Sequence, residues 1–179
     1  PHVVAQTASN TTNNPKEWYV WFNDAHVQRF TNREYEEVRD SLQNVYFTLP
    51  IDASQKDYLL VLCYASGYIN IVTLKDLKGA ISKRTKLIDE GYYISDDIKP
   101  MSIYLAHPSD MLAGFSVDEH GSKYVKIHSL TDFNPTKHPK NKGVRFVPTT
   151  GIITQYKQLP ASERDNVLRI IAAKSESSQ

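Results

Sequence analysis

The chain has 179 residues, of which 40% are hydrophobic and 23% charged, and a net charge of +1. This is the composition of one globular domain, and the near-neutral balance excludes a polyelectrolyte that binds nucleic acid over its whole surface. No apolar run approaches the roughly 20 residues that span a bilayer. Val3-Val4-Ala5 is too short, and lacks the basic flank, for a secretory leader, which predicts an intracellular protein with no membrane partner.

In chain order, residues 1–15 carry Ala, Thr, Asn and Gln without apolar period and predict a mobile arm. A first hairpin is predicted from Glu17–Phe22 and His26–Phe30, turning at Asn23-Asp24-Ala25. Thr31-Asn32-Arg33-Glu34 is a capping box, and a helix to about Leu42 follows with Tyr35, Val38 and Leu42 on one face. A short strand Val45–Leu49 is expected to stop at Pro50. A second hairpin pairs Tyr58–Tyr64 with Tyr68–Thr73, and Leu74–Leu77 makes one helical turn ending near Gly79. Between 81 and 98 only Gly91–Ile94 suggests a strand, and Ser102–Ala106 is the next one. A third hairpin pairs Met111–Val117 with Ser122–Leu130 across Asp118-Glu119-His120-Gly121. A loop over Thr131–Lys142, strands at Val144–Val147 and Ile152–Tyr156, and a helix capped by Ser162 follow. Val167, Leu168, Ile170 and Ile171 are that helix's expected core face. The tail 174–179 is expected to be loose, which leaves one domain over 16–173.

The three hairpins each run into a threonine: Thr31, Thr73 and Thr131. A unit recurring at roughly 40 to 60 residues points to modules that bury their apolar faces against one another. The predicted fold is therefore mainly β, built from antiparallel hairpins as a repeat-like small barrel or partial propeller with two minor helices. An α+β arrangement is the alternative.

The chemistry-bearing residues form no catalytic pattern. There is no G-x-S-x-G, no phosphate-binding glycine loop and no C-x-x-C or H-x-x-x-H pair. Asp118, Glu119 and His120 share a hairpin tip, which fits a solvated turn better than an ion site. Asp89-Glu90 and Asp96-Asp97 lack the lysine partner that a metal-dependent nuclease would hold on an adjacent strand. Cys63, in the apolar run Leu59–Tyr64, predicts a buried small hydrophobe rather than a nucleophile. No cofactor or metal is expected, and a nuclease or hydrolase with an unrecognised site is the third functional alternative.

Local charge carries more. Lys75, Lys78, Lys83, Arg84 and Lys86 stand against one acid after the second hairpin. Lys123, Lys126, Lys137, Lys140, Lys142 and Arg145 stand against one acid in and after the third. Two basic segments at matching places in stacked units would track a phosphate backbone, with Tyr124 or Phe146 available to stack on a base. After Thr31 the first unit is acidic instead (Glu34, Glu36, Glu37, Asp40), so the basic path covers two units.

The segment DYLLVLCYASGYINIVTLKDLKGAISKRTKLI resembles a blade of the C-terminal β-propeller of the DNA gyrase A subunit and its topoisomerase IV relative. WYVWFNDAHVQRFTNREYEEV and MLAGFSVDEHGSKYVKIHSLTDF are similar to it, and Asn141-Lys142-Gly143-Val144-Arg145 resembles the K-G-V that ends the family's basic loop. The resemblance implies a non-catalytic module of a larger protein that binds and bends duplex DNA on a basic rim. Lys83, Arg84 and Lys86, with Lys140, Lys142 and Arg145, would lie on that rim. A protein–protein interaction domain using the aromatic strand Trp18, Tyr19, Trp21 and Phe22 is the alternative.

Overall fold

The structure, a computed structural model, describes residues 12–24, 26–83, 99–135, 143–146 and 151–177. Ten strands among them form three antiparallel sheets, and each hairpin seeds one sheet. β1 (Glu17–Phe22) pairs with β2 (Val27–Thr31), and β3 (Val45–Ile51) returns to the other side of β1. β4 (Leu59–Cys63) pairs with β5 (Tyr68–Thr73), and β6 (Ser102–Ala106) returns to β4. β7 (Met111–Val117) pairs with β8 (Lys123–Ser129), and β10 (Ile152–Leu159) returns to β7. The three sheets thus share one order, with the first hairpin strand central. The two-residue β9 (Val144–Arg145) departs from it by adding to the free side of β5 in the middle sheet.

The sheets stack face to face. Tyr19, Trp21, Phe47, Leu49 and Ile51 of the first sheet meet Leu60, Leu62, Val72, Ile103 and Leu105 of the second. The opposite face of the second sheet, with Val61, Ile69, Ile71 and Tyr104, meets Leu112, Ile153 and Tyr156 of the third. Burial on both faces explains why β4 and β6 are continuous apolar runs rather than alternating ones. Cys63 lies inside the second core, fully buried, and burial pushes its thiol well above the ordinary value. Two tyrosine hydroxyls bridge this core: Tyr104 donates to the Tyr156 carbonyl (2.7 Å) and Tyr156 to the Tyr64 carbonyl (2.8 Å).

Three α-helices lie among the described residues. α1 (Asn32–Val38) begins at the capping box, where Thr31 Oγ1 accepts from the Glu34 amide and the Glu34 carboxylate accepts from the Thr31 amide. It covers the outer face of the first sheet, with Trp18 stacked on Tyr35 at 4.1 Å above Val20, Phe22 and Val45. It is shorter than the sequence suggested: at Arg39 the chain tightens into a 3-10 turn, Arg39–Ser41, and Leu42 is extended. α2 (Leu74–Lys83) starts under Thr73, whose hydroxyl accepts from the Asp76 amide, and buries Leu74 and Leu77. It runs through Gly79 instead of ending there, because a helix with two buried anchors tolerates one glycine. The third threonine caps no helix: Thr131 lies inside a 3-10 turn, Leu130–Asp132, with its hydroxyl on that of Ser129.

Other expectations are corrected. β3 continues through Pro50, which faces Trp18 on an edge strand where a missing N–H costs no ladder bond on the outer side. The strand at 144 ends at Arg145, and β10 reaches Leu159. α3 (Arg164–Ser177) follows a 3-10 turn at Ala161–Glu163, with no side-chain cap from Ser162. Of its expected core face, Leu168 is 48% and Ile170 67% exposed. Thr12 donates to Asp52 Oδ2 at 2.9 Å, and residues 1–11 of the expected arm lie outside the described residues. The strand expected at Gly91–Ile94 lies outside the described residues.

Candidate nucleic-acid interface

Of the residues the sequence singled out, Arg84, Lys86, Lys137, Lys140 and Lys142 lie outside the described residues, and Lys83 is the last residue of α2. Lys123, Tyr124 and Lys126 sit on β8, an edge strand whose first four residues are exposed. The register places Tyr124 and Lys126 opposite Ser116 and Gly114, on the face turned toward the middle sheet, and Lys123 opposite Val117 on the outer face. Lys123 and Lys126 have no carboxylate partner among the described residues. Tyr124, 56% exposed, donates to Asp118 Oδ2 at 3.0 Å, and this bond and the carboxylate's charge raise its hydroxyl above the ordinary tyrosine value.

Arg145 lies on β9, with its guanidinium 4.4 Å over the Tyr68 ring and Nη1 donating to the Ser66 carbonyl. The two elements are neighbours. Phe146, next to Arg145, packs its ring 5.6 Å from His128, which is two residues from Lys126 on the same face. Phe133 and Phe146 flank the lysine-bearing segment 136–142, and their rings are 6.0 Å apart. The fold therefore brings β9 and both ends of that segment beside β8, with Lys126 on the face turned to the middle sheet; the Arg145 side chain lies over Tyr68, on the face of the middle sheet turned to the first.

Two expectations fail here. Phe146 is a core residue, 1% exposed, and cannot stack on a base. The aromatic strand offers no interaction surface: Tyr19, Trp21 and Phe22 are buried between sheets or under α1. Trp18 spends its faces on Tyr35 and its Nε1 on Asn32 Oδ1 at 2.9 Å. The hairpin-tip carboxylate of Asp118 accepts from the His120 and Ser122 amides, which holds it below the usual aspartate range. Among the described residues no group of three or more His, Cys, Asp or Glu side chains is placed to hold a metal ion.

Arg145 pairs with Tyr68 at the start of β5, whereas Lys75 and Lys78 follow its end, about 17 Å further on at strand rise. Around those two lysines the structure shows a cluster the sequence reading missed. Lys56, Lys75 and Lys78 line a cleft of about 360 Å³ between β1 and α2, with Glu17 and Asp57 on its walls. Lys75 and Lys78, three apart after a capping threonine, were legible as one helix face. Lys56 joins them only through the packing of the first sheet on the second.

No protein-family model and no curated protein matches the sequence. The arrangement defines the chain as a mainly β domain of stacked antiparallel sheets with minor helices. Among solved structures this fold is similar to the crystal structure of the C-terminal domain of DNA topoisomerase IV, with a TM-score of 0.57 and 12% identity over 94% of this chain. The chain spans 53% of the length of that one. At this identity the likeness is one of fold.

Proposed function

We propose that this chain is a non-catalytic nucleic-acid-binding module of a larger intracellular protein, and that its target is duplex DNA held by the phosphate backbone. The observation that carries the reading is the placing of Lys126 on β8 beside both ends of the lysine-bearing 136–142 segment, from which β9 with Arg145 leads into the middle sheet. Lys137, Lys140 and Lys142 would extend the same path. Support also comes from the fold's likeness to a topoisomerase IV domain, and from a strand order shared by three sheets, which fits three copies of one module. Lysine and arginine contacts of this kind position a duplex without reading its sequence, so affinity is expected to be similar for unrelated sequences.

The test is fluorescence anisotropy with labelled duplex and single-stranded oligonucleotides at low ionic strength. The reading expects duplex binding that is insensitive to sequence and weakened at least tenfold by Lys123→Glu with Lys126→Glu. Absence of duplex binding by the folded protein rejects it, and so does binding that ignores both charge reversals.

A further inference from the structure

We infer that the cleft between β1 and α2 is a second phosphate-binding site, remote from the β8–β9 flank. Three ammonium groups border it. Lys56 comes from the turn before β4, and Lys75 and Lys78 from the first two turns of α2. The nearest carboxylate, Glu17, is already neutralised: Arg29 Nε is 2.6 Å from its Oε2, and Lys78 Nζ is 3.8 Å away. The Glu17 side chain is only 19% exposed, so it orients these two cations more than it presents a negative charge to solvent. Lys56 and Lys75 are exposed and have no carboxylate partner among the described residues, and Asp57 is the one remaining acid on the wall. With Glu17 paired to Arg29, three lysines on the wall face Asp57 as the one uncompensated carboxylate.

The floor is fixed. Tyr19 and Leu74 are buried in the core between the first two sheets, so the lysine stems rise from a rigid base. Ammonium groups act as point charges and suit a tetrahedral anion approached from several sides, which is the chemistry of a phosphate rather than of a planar carboxylate. At about 360 Å³ the cleft admits a phosphate with its ester substituent and water. The phosphate can come from a nucleic-acid backbone or from a free phosphate compound. The first source rests on the function proposed above and the second does not.

The experiment follows backbone amide NMR shifts of Asp57, Lys75 and Lys78 while inorganic phosphate is added against a matched chloride series, and separately while a short duplex is added. The inference expects phosphate shifts at these amides that saturate in the low millimolar range. They should weaken at least tenfold in Lys56→Glu/Lys75→Glu, two exposed substitutions whose circular dichroism should match the parent. Duplex shifts at the same amides, lost in the double variant, assign the site to a nucleic-acid phosphate. Saturation by inorganic phosphate with no duplex effect assigns it to a free phosphate compound, even where the nucleic-acid reading fails. Shifts that do not saturate, that chloride reproduces, or that survive the double charge reversal overturn the inference.

Discussion

Replacing Gly143 by alanine tests how β9, and with it Arg145, is held. Gly143 has φ +83°, and a Cβ there would lie 2.3 Å from the Ile69 carbonyl oxygen and 2.3 Å from Asn70 Oδ1. The variant has two ways to respond. If β9 stays in place, the left-handed backbone costs about 1–2 kcal/mol for a non-glycine residue. The contact with a strand carbonyl adds about 1–3 kcal/mol, since a backbone atom cannot move aside cheaply. If β9 detaches, the fold loses its pairing with Tyr68 and Ile69 and the burial of Phe146, which is 1% exposed; the side chain alone is worth about 1.5–3 kcal/mol. The first route costs about 2–5 kcal/mol and the second at least about 1.5–3 kcal/mol, and since the cheaper route is taken the loss should be about 2–3 kcal/mol. Gly79→Ala is the matched control: it lies mid-helix, a Cβ there meets nothing within 4 Å, and the same substitution should stabilise by about 0.5–1 kcal/mol. Urea denaturation of the three proteins, with the slope compared across them, reads both effects. A Gly143→Ala loss below about 0.5 kcal/mol would refute the reasoning about β9.

Further predictions follow from single contacts. Thr31→Ala removes the acceptor of the Glu34 amide and should cost about 1 kcal/mol in the same denaturation assay, with fluorescence reporting exposure of the Trp18–Tyr35 stack. Cys63 is fully buried with its thiol pushed up, so a thiol reagent at neutral pH should label it only at the rate of global opening; rapid labelling of the native protein contradicts the second core. Asp118 is held below its ordinary value chiefly by its turn amides, so its contribution to stability is full above the unfolded aspartate pKa and is lost as pH falls through the lower folded value. Its carboxyl resonance should titrate below that of an unstructured aspartate, and Asp118→Asn should flatten this part of the acid dependence.

Local signals in the sequence proved the most faithful. The turns at Asn23-Asp24 and Asp118–Gly121 and the Thr31–Glu34 box rest on interactions within a few residues, and each fixes the element boundary beside it within a residue or two. Non-local pairing was out of reach. β9 is two residues long and joins β5 from more than 70 positions away, a partnership that no period or propensity encodes. Pro50 and Gly79 misled for one reason: each is a breaker only where its missing group or side chain is needed, and an edge strand and an open helix face need neither. The aromatic run Trp18–Phe22 looked alike as core or as binding surface, and only the stacking of sheets decides between them. On the candidate interface, the lysines of β8 were readable as charge, whereas the nearness of β9 to β8 depends on Phe146 entering the core. Lysines on an edge strand also discourage pairing with a foreign strand, so their number alone says little; what matters is what they do to salt dependence.

The most direct measurement is therefore the slope of log affinity against log salt for a duplex, in the parent and in Lys123→Gln, Lys126→Gln and Arg145→Gln singly and together. Each phosphate neutralised contributes about −0.9 to that slope. The account predicts a parent slope of about −3 or steeper, made shallower by about 1 for each substitution. No binding at low salt, or a slope that the triple variant leaves unchanged, contradicts it.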